Sequence, residues 1–399
     1  MTQQVENLRI VMAQLNMLVG DVEGNVEKII DAAIRARDEL HGDLVLFPEL
    51  AIIGYPPEDL LLRPGLYERV AVGLQRLQRE ISGISVVVGY PRKEGDELYN
   101  SLAVIAENEI KAISDKQFLP NYSVFDEKRY FTSADHAPAV IEVKGIKLGL
   151  LVCEDIWMSQ PAVQAVDAGA QLLLVANASP FHAGKGEERQ EIVRQRIHEV
   201  GCPVVYVNLV GGQDELVFDG GSFMLDQEGQ LQQQVPYFEE DLYVAEFKLQ
   251  QGKVTAQHGS SEHPYSLERS IYRALVLGVR DYIEKNGFCG AVLGLSGGID
   301  SALTLAIAVD AIGASRVEAV MMPSRYTADM SVEDAAEEAK ILGVDYRVIT
   351  IEPLYEGFMA SLAEEFAGTQ VGTAEENIQA RCRGVLLMAI SNKKGKIVL

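Results

Sequence analysis

At 399 residues the chain is long for one ordinary domain and of a size for two. Its hydrophobic fraction of 48% and charged fraction of 23% are those of compactly folded proteins, which excludes a disordered or fibrous class. A formal charge of −23 disfavours general attraction to nucleic acid or anionic membrane, so any polyphosphate ligand has to be held by local geometry.

Residues 1–9 are polar, without a basic segment followed by an apolar one, so no secretory signal is expected and the cytoplasm is the default location. Short β-rich runs then alternate with amphipathic stretches. Strands are predicted over 8–13, 44–47, 84–88, 98–105, 147–152, 172–176 and 203–208. Helices are predicted over 26–40, 161–168 and 187–200. The longest apolar runs, such as 172–176 and 204–207, are of strand length, well short of the roughly 20 residues that a membrane helix needs. Residues 251–266 are polar and turn-rich without periodicity, which places a linker there between domains at 1–250 and 267–399. Beyond it the pattern predicts a helix over 267–284, a strand over 290–295, a helix from Ser301, a strand over 317–321, a helix over 332–342 and a strand over 346–350. That alternation implies a parallel, doubly wound sheet.

Three segments of the first half carry reactive groups. Leu44-Val-Leu-Phe-Pro-Glu49 delivers a carboxylate at the end of an apolar strand, where α/β active sites gather, although a lone strand-end glutamate is more often a cap or surface residue. Lys116 sits in Ser114-Asp-Lys-Gln-Phe-Leu-Pro-Asn-Tyr122-Ser-Val-Phe-Asp-Glu127, where a lysine taken alone reads as solvated surface. Leu148-Gly-Leu-Leu-Val-Cys153-Glu-Asp-Ile-Trp157 ends a strand in a thiol, which is inert packing unless a base and a cation converge on it. The other cysteines, Cys202, Cys289 and Cys382, have no such company and are expected to pack. The six histidines form no metal-binding pattern, and His182 is read as structural.

Together the three segments resemble, in order and character, the Glu-Lys-Cys triad of the nitrilase superfamily. The resemblance implies an α-β-β-α sandwich in which Cys153 attacks an amide carbon, Glu49 is general base and Lys116 stabilises the oxyanion. Glu127 matches a second glutamate of such pockets, with a structural salt bridge as its alternative. The stretch Ala178-Ser179-Pro180-Phe181-His182-Ala183-Gly184-Lys185 resembles the glutamine-binding segment of glutaminase domains fused to NAD synthetases, which makes Tyr122, Ser179 and Lys185 the expected glutamine contacts. A turn serine and a loop lysine remain the alternatives.

The strongest motif is Gly294-Leu295-Ser296-Gly297-Gly298-Ile299-Asp300-Ser301, between a predicted strand and helix. Small residues let backbone N–H groups approach a phosphate, the helix start adds positive potential, and the absence of a lysine at the P-loop position points away from γ-phosphoryl transfer. The motif resembles the pyrophosphate loop of the ATP pyrophosphatases (the adenine nucleotide alpha hydrolase-like fold), with Asp300 implied as a Mg²⁺ ligand. Flanking segments, including Met322-Pro-Ser-Arg-Tyr-Thr327 and Glu375-Glu-Asn377-Ile-Gln-Ala-Arg381-Cys-Arg383, resemble the NAD synthetase pattern, which implies Asn377 as a deamido-NAD contact. The whole chain thus resembles the glutamine-dependent NAD synthetases, an α/β class whose substrates are glutamine, ATP and deamido-NAD, with Mg²⁺ and homo-oligomeric assembly. Family members continue past Leu399 with residues that complete the ATP and Mg²⁺ site, so weak or absent NAD formation by these residues is the expectation. Two other readings stay open: an amidase for another small amide joined to a nucleotide-binding domain, and a non-catalytic oligomeric assembly protein.

Overall fold

The computed structural model describes residues 6–262 and 265–399; residues 1–5 of the N-terminal segment and 263–264 of the expected linker lie outside the described residues. The chain forms two compact units, the first ending at Ala274 and the second running Leu275–Leu399.

In chain order the first unit comprises β1 (Glu6–Gln14), α1 (Val22–Asp38), β2 (Leu44–Leu46), α2 (Pro64–Glu80), β3 (Ser85–Glu94), β4 (Glu97–Ala106), β5 (Glu109–Asp115), β6 (Val140–Val143), β7 (Ile146–Val152), α3 (Ser159–Asp167), β8 (Leu172–Asn177), α4 (Lys185–Val200), β9 (Val204–Asn208), β10 (Val210–Gln213), β11 (Leu216–Asp219), β12 (Phe223–Leu225), β13 (Leu231–Gln234), β14 (Asp241–Gln250) and β15 (Lys253–Ala256). One sheet has the order β15-β14-β1-β2-β3-β4-β5 and the other β13-β12-β9-β8-β7-β6. The central strands β1, β2 and β3 run parallel, as do β7, β8 and β9.

Strand alternation assigns the layers. Leu8, Ile10 and Met12 of β1, Leu44 and Leu46 of β2, and Leu148, Leu150 and Val152 of β7 share one buried layer with Leu172, Leu174, Val205 and Val207 between the two sheets. The intervening residues point outward: Val11, Val45 and Phe47 pack with Val26, Ile29 and Leu77 of the helices on the first sheet. Leu151, Leu173, Val175 and Tyr206 pack with Ala162, Val193 and Ile197 on the second. Because both faces of the central strands are covered, their sequences read as continuous apolar runs. The result is the α-β-β-α sandwich.

The second unit adds α5 (Leu267–Lys285), in which the division between the units falls, then β16 (Ala291–Gly294), α6 (Ile299–Ile312), β17 (Val317–Met321), α7 (Asp329–Leu342), β18 (Asp345–Val348), α8 (Glu352–Ser361), α9 (Thr373–Lys394) and β19 (Ile397–Val398). Its sheet is parallel throughout, in the order β18-β17-β16-β19. Leu293 and Ala319 face Leu305, Ala308 and Ala335 on one side, while Val292 and Val320 face Ile351 and Cys382 on the other, so the sheet is doubly wound.

Sequence patterning passes over α2, β5, β6, α8, α9, β19 and the strands from β10 to β15. Lys253–Ala256, within the stretch read as linker, pairs antiparallel with β14 as an edge strand, whose polar residues suit a half-solvated position. Cys289, expected to pack, is exposed and donates its S–H to the Lys394 carbonyl at 3.1 Å. Helix α6 starts at Ile299 rather than Ser301, because Gly298 already serves as its extended N-cap.

A close backbone approach depends on Gly89 of β3. A Cβ there would lie 2.3 Å from Leu50 N, 2.7 Å from Pro48 O and 2.8 Å from Glu49 C, all main-chain atoms of the segment that follows β2. Overpacking of this kind costs about 1–3 kcal/mol. Gly89→Ala is therefore expected to lower the thermal midpoint of the first unit by about 2–12 °C, at roughly 2–4 °C per kcal/mol for a domain of this size. Calorimetry giving an unchanged midpoint would show that the Glu49 segment yields freely.

Candidate functional site

Glu49, Lys116 and Cys153 arrive at one place because each follows the carboxyl end of a strand: β2, β5 and β7. Lys116 is fully buried, and its Nζ lies 2.6 Å from Glu49 Oε1 and 2.9 Å from both carboxylate oxygens of Glu127. Glu49 also accepts from Asn100 Nδ2 at 2.7 Å and, through Oε2, from the Ala178 N–H at 3.0 Å. Glu127 accepts from the Tyr55 hydroxyl at 2.9 Å. An ammonium is thus clamped between two carboxylates in a site almost closed to water.

Burial opposes the charge on Lys116, but Glu127 and Glu49 more than offset it and hold the ammonium well above its ordinary range. Burial raises the Glu127 carboxyl, reinforced by Glu49 and opposed by Lys116. The buried Cys153 thiol is likewise pushed well above its ordinary range, by burial first and then by the charge of Glu49, with Lys116 pulling the other way. The resting nucleophile is therefore a thiol, and a base must take its proton during attack.

Cys153 opens a short 3₁₀ turn, Cys153–Trp157, with φ +44°, in the left-handed region. Asp155, two residues on, holds that turn. Its Oδ2 accepts the Val152 N–H at 3.2 Å, and its Oδ1 accepts the N–H groups of Gln117 and Phe118 at 3.0 Å each. One carboxylate thereby fastens the nucleophile's turn to the segment carrying Lys116.

Tyr122, half exposed, donates to Glu154 at 3.1 Å, beside the nucleophile. Lys185 Nζ stands 4.0 Å from the centre of the Trp157 ring and 3.0 Å from Glu188. Ser179 is buried next to Ala178, whose N–H binds Glu49. Sequence reasoning passed over Tyr55, Asn100, Glu154 and Asp155. Only Glu154 and Asp155 carried a signal, their adjacency to Cys153; the others lie on elements far away in sequence.

In the second unit the glycine loop follows β16. Ser296 N–H donates to Ser301 Oγ at 3.1 Å, the two hydroxyls lie 2.9 Å apart, and Ser301 Oγ donates to Gly298 O at 2.9 Å. Gly297 has φ +78°, and a Cβ on it would lie 2.2 Å from Ser331 O, so no side chain fits there. Helix α6 begins at Ile299 without a side-chain cap, which leaves its first-turn N–H groups available to an anion, with Asp300 in that turn. A cavity of about 220 Å³ beside the loop is lined by Gly294, Leu295, Ser296, Met322, Thr327 and Arg383. Arg383 is fixed by donating to Met322 O at 3.0 Å. Asn377 and Arg381 are exposed on α9 and are not part of that lining. No group of three or more acidic, histidine or cysteine side chains able to hold a metal occurs among the described residues.

Asp155→Asn sets an amide donor against a buried backbone N–H, at a cost of about 1–3 kcal/mol. Burial raises the Asp155 carboxyl from 3.8 to about 7. A raised carboxyl favours the folded state below its unfolded value and loses that contribution as pH rises through the folded one. The melting deficit of the variant is therefore expected to be larger at pH 5 than at pH 8; a deficit that grows with pH would contradict this.

Residues 9–257 match the carbon-nitrogen hydrolase family and residues 271–399 the NAD synthase family. The glutamine-dependent NAD(+) synthetase of Xanthomonas campestris pv. campestris is 47% identical over 393 residues, which span 98% of this chain and 71% of that protein. The glutamine-dependent NAD+ synthetase of Acinetobacter baumannii, solved in complex with ADP, superposes with a TM-score of 0.95 at 44% identity, over 98% of this chain and 74% of that one. The first unit alone resembles a glutamate-to-glutamine mutant of the amidase from Nesterenkonia sp. AN1, which shows covalent addition of the acetamide moiety of fluoroacetamide at the active site cysteine, with TM-score 0.55 and 29% identity over 59% of this chain and 89% of that one. Two catalytic folds in one chain, and relatives matched over nearly its whole length, place it in the family of glutamine-dependent NAD(+) synthetases, ligases that take their amide nitrogen from glutamine.

Proposed function

We propose that Cys153, Glu49 and Lys116 carry out the glutamine hydrolysis and that the Gly294–Ser301 loop holds the ATP. The observation that carries the first half is the buried ammonium of Lys116 between Glu49 and Glu127, beside a thiol. Cys153 Sγ attacks the glutamine amide carbon as its proton passes to Glu49, and Lys116 faces the negative charge that develops on the amide oxygen. Glu49 then gives the proton to the leaving nitrogen, ammonia departs and a thioester remains. Next Glu49 takes a proton from water, the hydroxide attacks the thioester carbon, and glutamate leaves with the thiol restored. The covalent adduct on the active site cysteine of the mutant Nesterenkonia amidase supports a covalent route. Glutamine is selected by opposite charges around the nucleophile: Lys185 suits its α-carboxylate, while Glu154, with Tyr122 bound to it, suits its α-ammonium.

At the second site the loop N–H groups and the hydroxyls of Ser296 and Ser301 would cradle the phosphates of ATP. Asp300 would serve as one carboxylate ligand of Mg²⁺, an ion that is commonly held by one or two carboxylates with phosphate oxygens and water completing its shell. A lone carboxylate in the first turn of α6 fits that role. The carboxylate of deamido-NAD attacks the α-phosphorus, pyrophosphate leaves, and ammonia displaces AMP to give NAD; Asn377 on α9 is a contact for the dinucleotide. Homo-oligomeric assembly is supported by apolar side chains exposed one turn apart, Ile299 with Leu303 on α6 and Val385 with Met388 on α9. Four free cysteines agree with the reducing cytoplasm.

The test is ammonia release from glutamine. Cys153→Ala is expected to abolish it, and Glu49→Gln to lower kcat by ~10²–10⁴, the usual span for a general base. Ammonia release that survives Cys153→Ala would refute the assignment.

A further inference from the structure

Arg189, on α4, is among the most deeply buried side chains of the chain, 2% exposed, and every donor group of its guanidinium is engaged. Nη1 meets both oxygens of Asp219 at 2.8 and 3.0 Å. Nη2 donates to the carbonyls of Ser179 at 2.7 Å and Pro180 at 3.0 Å, and Nε donates to Ser179 Oγ at 3.1 Å. Asn208, at the end of β9, completes the enclosure: its Oδ1 accepts the Ser179 N–H at 2.9 Å, and its Nδ2 donates to the Ser179 carbonyl at 3.1 Å. The N–H, the C=O and the hydroxyl oxygen of one serine are therefore all held. Oγ accepts from Arg189, and the buried Tyr206 side chain lies beside the same hydroxyl.

The preceding residue, Ala178, gives its N–H to Glu49. One short segment after β8 thus carries both the orienting bond of the general base and the serine read above as a glutamine contact. We propose that Arg189, locked by Asp219, is the positioning residue for glutamine recognition: its planar fork fixes Ser179 in the orientation that selects a glutamine-shaped substrate, without itself touching the substrate. This rests on the reading of Ser179 as a glutamine contact. A purely structural ion pair would need only the bond between Arg189 and Asp219; three further donations to Ser179 and Pro180 are the geometry of a clamp on that segment. A planar fork supplies them and a lysine ammonium does not.

The experiment compares two electrophiles at Cys153 by peptide mass spectrometry, with Cys153→Ala as blank: chloroacetamide, and 6-diazo-5-oxo-L-norleucine, which carries the glutamine backbone. The readout is the ratio of their labelling rates, glutamine-shaped over small. Arg189→Lys and Ser179→Ala are both expected to lower that ratio by about tenfold or more, and the KM for glutamine to rise more than kcat falls. If Ser179→Ala lowers the ratio and Arg189→Lys leaves it as in the parent chain, the proposal is overturned while the Ser179 reading stands. If Ser179→Ala leaves the ratio unchanged, that reading fails and takes the proposal with it. Equal slowing of both reagents in Arg189→Lys would show general damage and also overturn it. Should Arg189→Lys fail to melt cooperatively, the double variant Arg189→Met with Asp219→Leu replaces the pair by apolar side chains. A ratio in that variant equal to the parent's overturns the proposal, and a tenfold loss upholds it.

Discussion

An ammonium group sealed between two carboxylates is the interaction on which the first unit turns. Taken alone, a buried Lys116 would shed its proton, and a buried Glu127 would take one up. Two carboxyl groups within hydrogen-bonding distance hold the Lys116 ammonium charged, while burial still raises Glu127 to about 7, and removing one partner from such a buried arrangement typically costs about 3–5 kcal/mol. The rest of the unit serves to make that contact possible. The covered parallel strands β2 and β7 and the edge strand β5 bring three chain segments together, Gly89 lets the Glu49 segment lie against β3, and Asp155 joins the thiol's turn to the lysine's.

The chemistry follows from the same arrangement. A cation that stays charged in a dry pocket is a fixed positive pole for an oxyanion and needs no reorganisation when negative charge develops. A thiol that stays protonated at rest does not react with every passing electrophile; it becomes nucleophilic only when a substrate aligns it with Glu49. In the second unit the principle is similar but the means differ: the positive potential comes from backbone N–H groups at the start of α6, and Gly297 allows the loop to pass against Ser331 where any side chain would collide.

Much of this was legible in the sequence because the reactive groups sit at strand ends, where an apolar run stops abruptly at Glu49, Cys153 or the glycine loop. The α/β class and most central strands follow from the same runs. What patterning misses is whatever depends on distant partners. Asn100 and Tyr55 look unremarkable in sequence, yet they reach Glu49 and Glu127 from 51 and 72 residues away. Arg189 lies in a charged helix that reads as solvated surface; its burial follows from Asp219, on a short strand that no periodicity marks. Helix α9 was missed because its mixed polar and apolar residues present no single apolar stripe.

The central claim is that Cys153 rests as a neutral thiol beside a permanently charged Lys116. The most direct measurement is the pH dependence of Cys153 alkylation by a small haloamide, followed at that residue's peptide. A rate that keeps climbing above pH 9, with no plateau at neutral pH, is what the buried cluster requires. A rate already flat below pH 7 would mean a preformed thiolate paired with the lysine, and would contradict the role given to Glu49.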